Sequence, residues 1–281
     1  MTDVVVPPEW VLERDDLVVV DVRDGWEYDG IGHIPDAVNV PFDSFRADEQ
    51  GEGEAGMLPG AETFAALAGD VGITGDDRIV AYDDDHGVFA ARFLVTAELY
   101  GHDPSRLHLL DGDYTAWSRR YEVSRESPTV RPASYRARFD PVGPLVGLEA
   151  VEAALADPET TIVDTREEGE FAAGHIPEAV RLDWRELVDV DSRGIEPAST
   201  IRPLLADRGI VPECRILLYC NTARRISHTY TVLRGLGFPR LAFYEGSLTE
   251  WEREGGRIET VPRVTEGDSG VAGSRNADRP E

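Results

Sequence analysis

VVVDVRDGWEYDGIGHIPDAVNVPF, residues 18–42, and TIVDTREEGEFAAGHIPEAVRLDW, residues 161–184, are one passage written twice. Asp21 and Arg23 align with Asp164 and Arg166. Gly32-His33-Ile34-Pro35 aligns with Gly174-His175-Ile176-Pro177, and Ala37-Val38 with Ala179-Val180. Two later blocks recur in the same order. RIVAYD from Arg78 matches RILLYC from Arg215, and LDGDYTAW from Leu110 resembles YEGSLTEW from Tyr244. Three ordered matches make the chain a tandem of two like domains. The period exceeds 100 residues, which argues against a solenoid of short repeats.

In both halves short apolar runs alternate with helical patterns, the mark of parallel strands joined by crossover helices. The fold class is therefore α/β, with a parallel central sheet flanked by helices in each domain. In the second half, helices are expected over 148–155, 199–207, 224–236 and 248–253, with a short acidic helix start over 167–171. Strands are expected over 161–163, 179–182, 216–219 and 241–244. Gly237 is placed to cap the third of these helices. The first half follows the same order. The reading divides the chain into a first domain over 1–127, a linker over 128–145, a second domain over 146–262 and a disordered acidic tail over 263–281. The linker reading rests on four prolines between Ser127 and Pro144. Glu49 to Gly56 reads as an acidic surface loop.

The 281 residues carry a formal net charge of −26. Nucleic acid and anionic membrane both need a basic face, so neither is an expected partner. All 28 basic residues are arginine, without a single lysine. That composition resembles proteins of salt-accumulating halophiles, because at molar salt the Debye length falls to roughly 3 Å and an acidic surface repels itself little. The N-terminus has no basic segment followed by an apolar run, and no apolar stretch is long enough for a bilayer. A cytoplasmic location is the expectation. Two cysteines do not make a disulfide framework. Cys214 and Cys220 flank a strand, roughly 20 Å apart at about 3.3 Å per residue, beyond the reach of a disulfide.

Cys220 ends that strand and opens the segment Cys220-Asn221-Thr222-Ala223-Arg224-Arg225. At the same place the first half has Asp83, which suggests one reactive half and one scaffold half. A strand, a short loop and a helix around a thiol form an anion cradle. Loop amides can point inward, the helix adds its positive end, and Arg224 and Arg225 add full charges. All favour the thiolate, so the Cys220 pKa is expected below the free value of about 8.5. Cysteine phosphatases space their Cys and Arg by five residues. Here Arg225 leaves only four between, a loop too small for phosphate and suited to a sulfur donor.

These blocks resemble those of two-domain rhodaneses, the thiosulfate and 3-mercaptopyruvate sulfurtransferases. The resemblance runs from about residue 8 to 257. It is carried by the paired Asp-x-Arg and Gly-His-Ile-Pro blocks, Met57-Leu58-Pro59-Gly60, the Cys220 loop and Tyr244-Glu245-Gly246-Ser247. It implies two rhodanese-like domains, with only the second carrying the cysteine. It also implies transfer of sulfane sulfur through a Cys220 persulfide to cyanide or a thiol, with no cofactor and no metal. The cationic loop is similar to thiosulfate-type members, so thiosulfate is the expected donor. Mercaptopyruvate, or delivery of the persulfide to a partner protein, is the alternative. A phosphatase or arsenate reductase is disfavoured by the loop length. Ala223 stands where the family usually has Gly.

The expected substrate-binding residues are Arg225, Arg224, Arg166, Asn221, Thr222 and Ala223, around the nucleophile Cys220. Arg225 could instead tether the loop, Arg224 could face solvent, and Arg166 could pair with Glu170. His33 and His175 are expected to make a shared structural hydrogen bond. Asp83-Asp84-Asp85 reads as a solvated acidic loop replacing the cysteine loop. The five tryptophans read as core.

Overall fold

The computed structural model describes residues 3–47, 57–221 and 223–261. Glu49 to Gly56, Thr222 and the acidic tail lie outside the described residues. The first domain runs β1 (Val5–Val6), α1 (Pro8–Leu12), β2 (Leu17–Asp21), α2 (Gly25–Gly30), β3 (Val38–Asn39), α3 (Ala61–Asp70), β4 (Arg78–Tyr82), α4 (Val88–Leu99), β5 (Leu107–Leu110) and α5 (Tyr114–Ser118). The second runs β6 (Leu145–Val146), α6 (Leu148–Ala154), β7 (Thr160–Asp164), α7 (Glu168–Ala173), β8 (Val180–Arg181), a hairpin of β9 (Val188–Asp189) and β10 (Gly194–Ile195), α8 (Ala198–Ala206), β11 (Arg215–Tyr219), α9 (Arg224–Gly235), β12 (Leu241–Tyr244) and α10 (Ser247–Arg253).

Each domain holds a five-stranded parallel sheet, ordered β1-β5-β4-β2-β3 in the first and β6-β12-β11-β7-β8 in the second. The central strands are buried on both faces, which is why IVAY and ILLY read as continuous apolar runs. Register aligns Asp21 with Tyr82 and Asp164 with Tyr219.

The duplicated motifs interlock. Arg23 donates to the Asp21 carboxylate and, at 2.7 Å, to the carbonyl of Gly32. Arg166 does the same with Asp164 and, at 2.6 Å, with Gly174. The Tyr82 hydroxyl accepts from Ile34 N, and that of Tyr219 from Ile176 N. His33 Nδ1 faces the carbonyl of Tyr28 at 3.1 Å and His175 Nδ1 that of Phe171 at 2.8 Å. Each imidazole stacks on that same residue's ring. The two histidines are structural equivalents.

α4 and α9 pack against each other at the domain interface, and one apolar cluster runs through both domains. Gly237, at φ 84, ends α9 as its sequence position suggests. Within the extended linker, Tyr135 is buried in the first domain's core, edge-on to Phe64. One expectation needs correction. Trp117, Trp184 and Trp251 are buried, whereas Trp26 stands 66% exposed on α2.

Candidate active site

Cys220 follows the last residue of β11, at the carboxyl end of a parallel strand, where α/β sheets present their sites. It is fully buried. Its backbone is held by the turn after β12. Cys220 N donates to Ser247 Oγ at 3.2 Å, and its carbonyl accepts from Leu248 N at 3.1 Å. No disulfide joins it to Cys214, which is half-buried just before β11. Ala223 has φ −44 and ψ −15. That is ordinary right-handed backbone, so the alanine restricts nothing a glycine would free.

A cavity of about 240 Å³ opens beside the loop, lined by Arg224, Arg225, Glu167, Glu170, Trp184 and Arg185 of the second domain and by Asp85 and Val88 of the first. Both halves therefore wall the mouth. Arg224 is exposed, with its guanidinium 5.3 Å from the ring of Phe89 in the first domain. Arg225 is bound by Glu170 through two contacts of 2.5 and 3.0 Å. Glu170 also accepts from Asn221 Nδ2 at 2.7 Å. Hydrogen bonds from Arg225 hold the Glu170 carboxyl below the usual carboxylate range.

Arg166, expected at the substrate with a pair to Glu170 as the alternative, makes no bond to Glu170. Its Nε and Nη2 are committed to Asp164 and Gly174, and its Nη1 reaches Asn221 Oδ1 at 3.2 Å. It supports the loop through Asn221. The structure thus brings Cys220, Asn221, Ala223, Arg224 and Arg225 together, with Arg166 behind them. Sequence reasoning missed Glu170 as the loop's clamp, together with Trp184 and Arg185.

The counterpart loop corrects the reading of Asp83-Asp84-Asp85 as solvated. Asp83 is 1% exposed. Its carboxylate accepts from the amides of Asp85, Gly87, Phe89 and Ala90, at 2.8 to 3.0 Å. The amide nest survives in the half without the thiol, and a carboxylate fills it. Burial outweighs these four bonds and pushes Asp83 up to about 6. Asp84 is half-buried and accepts from Thr115; only Asp85 is exposed. α4 and α9 differ in the same sense. At the fifth position the first has Arg92 and the second His228, both fully buried. Burial drives His228 down to about 3, so it stays neutral against the ring of Trp184.

No helix among the described residues is long and apolar enough to cross a membrane. The chain matches the rhodanese-like domain twice, over residues 8–120 and 148–254. It is 30% identical over 252 residues to a thiosulfate sulfurtransferase of Pseudomonas aeruginosa, covering 85% of this chain and 89% of that one. It is 29% identical over 284 residues to the sulfur carrier protein TtuD of Thermus thermophilus, covering 92% and 96%. The crystal structure of the 3-mercaptopyruvate sulfotransferase SseA from Escherichia coli superposes with a TM-score of 0.77 at 23% identity, over 88% of this chain and 99% of that one. With two matched domains spanning most of its length, the chain belongs to the rhodanese family of sulfurtransferases.

Proposed function

We propose that this protein moves sulfane sulfur from thiosulfate to a thiol or cyanide through Cys220. The Cys220 thiolate attacks the outer sulfur of thiosulfate. A new S–S bond forms, the old one breaks, and sulfite leaves with the electron pair. The acceptor nucleophile then attacks the terminal sulfur of the persulfide and expels the Cys220 thiolate. This two-step covalent route gives ping-pong kinetics.

The observation that carries the choice of donor is the pair of arginines at the cysteine loop, which with Arg185 bring the charge of the mouth to zero against Asp85, Glu167 and Glu170. Arg224 and Arg225 stand at the cavity beside Cys220 on a chain of net charge −26. A dianion approaches such a chain only where local positive charge offsets the overall field. Asn221 and Ala223 belong to the same loop, whose amides stabilise the charge on the transferred sulfur.

Steady-state assays with thiosulfate and with mercaptopyruvate, at low and molar salt, separate the donors. Higher kcat/KM for thiosulfate, and one added sulfur mass on Cys220 after thiosulfate alone, are expected. Sulfur loading only from mercaptopyruvate would move the protein to that branch. Similarity to a sulfur carrier supports a second reading, in which the acceptor is a protein thiol. Rapid hand-over to a protein thiol, with slow turnover on cyanide, would favour it.

A further inference from the structure

We infer that Arg92, in the half without the cysteine, is a positioning residue for Cys220. The inference rests on Cys220 being the sulfur-carrying thiol. Both backbone polar groups of Cys220 are held by one turn, through Ser247 Oγ at 3.2 Å and Leu248 N at 3.1 Å. Ser247 Oγ donates in its turn to the carbonyl of Tyr244 at 2.9 Å. Ser247 is fully buried and sits at φ 54. That left-handed region is uncommon for a residue other than glycine, and such backbone persists only when its surroundings over-determine it.

The surroundings reach in from the other domain. Glu245, two residues before Ser247, accepts from Arg92 Nη2 on α4. The side chains are 1% and 7% exposed. Arg92 Nη1 has no hydrogen-bond partner among the described residues. An ion pair so buried and so incompletely bonded is a poor way to add stability, since desolvation consumes most of the attraction. Its place explains it better. The first half has the same joint, with Tyr114 N donating to the carbonyl of Asp83 at 2.8 Å. There Asp111, the counterpart of Glu245, accepts from Ile195 N of the second domain at 2.9 Å. Each turn is gripped from across the interface, and the turn under the cysteine is gripped by a charge.

The pair also acts electrostatically. Glu245 is an anion beside the turn on which Cys220 must ionise. Arg92 neutralises it; left alone, that carboxylate would oppose the thiolate.

The test uses the full chain in a Cys214→Ser background. Alkylation of Cys220 by iodoacetamide against pH gives the thiol midpoint, and thiosulfate turnover gives kcat and KM. Arg92→Met and Glu245→Gln both break the pair. Each should lower kcat roughly fivefold or more with KM little changed. The midpoints should move in opposite directions by about half a unit, up for Arg92→Met and down for Glu245→Gln. A residue that only held the domains together would move neither midpoint. Folded variants with wild-type midpoints and wild-type kcat overturn the inference. Should one single variant fail to fold, the other is read instead: a midpoint moved in its own expected direction together with reduced kcat supports the inference, and an unmoved midpoint overturns it. Absence of sulfur on wild-type Cys220 would count against the sulfur-transfer reading, while the alkylation midpoints still judge Arg92.

Discussion

Glu170 grips Arg225 through both terminal guanidinium nitrogens, Nη1 to Oε2 at 2.5 Å and Nη2 to Oε1 at 3.0 Å. The same carboxylate accepts from Asn221, so one side chain holds two residues of the cysteine loop. An anionic donor must compete with Glu170 for Arg225.

Glu170→Gln removes that competitor and keeps an oxygen for the capping contact with Glu167 N. The thiosulfate KM is expected to fall by roughly threefold to tenfold, with kcat little changed. The same logic sets a pH direction. The Glu170 carboxyl is depressed by Arg225, so the clamp holds above the ordinary carboxylate range and loosens as pH falls through its lowered value. A KM that rises in Glu170→Gln would show that the carboxylate shapes the loop more than it blocks it.

Cys220→Ser keeps the size of the side chain at a fully buried position. It is expected to abolish sulfur transfer while leaving the melting temperature nearly unchanged. Turnover retained above background would sink the persulfide mechanism.

Asp83 gives the first domain a titration of its own. Burial raises its carboxyl to about 6 in the folded chain, against about 3.9 unfolded. A raised folded value means that the native state binds the proton more tightly. The contribution to stability is therefore complete below about pH 4 and is lost as pH rises through about 6. Its size is on the order of 3 kcal/mol at most, at 1.36 kcal/mol per unit. Asp83→Asn should remove this dependence. The difference in unfolding free energy between wild type and variant should change between pH 4 and 7. A constant difference across that window would mean that the amide nest keeps Asp83 ionised throughout.

Much of the fold was legible because its signals are local. Strand runs such as Ile216–Tyr219 are buried on both faces, and Gly237 marks a helix end. The motif pairs repeat because Arg23 and Arg166 each close a short loop onto Gly32 or Gly174. What was hidden depends on direction or distance. Asp164 takes Arg166 from two residues away, ahead of Glu170, because the end of a strand presents its carboxylate to both the Arg166 amide and its guanidinium. Nothing in the letters Asp-Asp-Asp tells which carboxylate turns inward to meet four amides. Arg92 and Glu245 lie 153 positions apart in the chain, and no periodicity links them.

Tyr135 shows the same limit in the linker. Its ring is 7% exposed, edge-on to Phe64 at 5.6 Å, and its hydroxyl is 3.2 Å from His102 Nδ1. Tyr135→Ala should cost about 3 kcal/mol or more of stability, as for other large aromatic truncations. Chemical denaturation of the two proteins measures it. A loss below about 0.5 kcal/mol, the level of ordinary surface substitutions, would return this segment to the role of a tether.

The charge balance makes the last prediction. The chain has 54 acidic against 28 basic residues. At about 0.1 M salt the Debye length is about 10 Å, and at molar salt it falls to about 3 Å. Repulsion across the surface is therefore screened as salt rises. Exposed pairs such as Arg185 with Glu167 weaken too, but they contribute little. The pairs that hold the folds, Arg23 with Asp21 and Arg166 with Asp164, are buried and largely beyond the reach of the ions. The balance favours the folded chain. The melting temperature should rise on the order of 5 °C or more between 0.1 and 2 M KCl, about what 2 kcal/mol gives a domain pair of this size. Thiosulfate kcat/KM should fall less than for a sulfurtransferase of near-zero net charge, since screening weakens the repulsive overall field together with the attraction of the loop arginines. A melting temperature that drops with salt would show that ion pairs, rather than like-charge repulsion, set the balance on this surface.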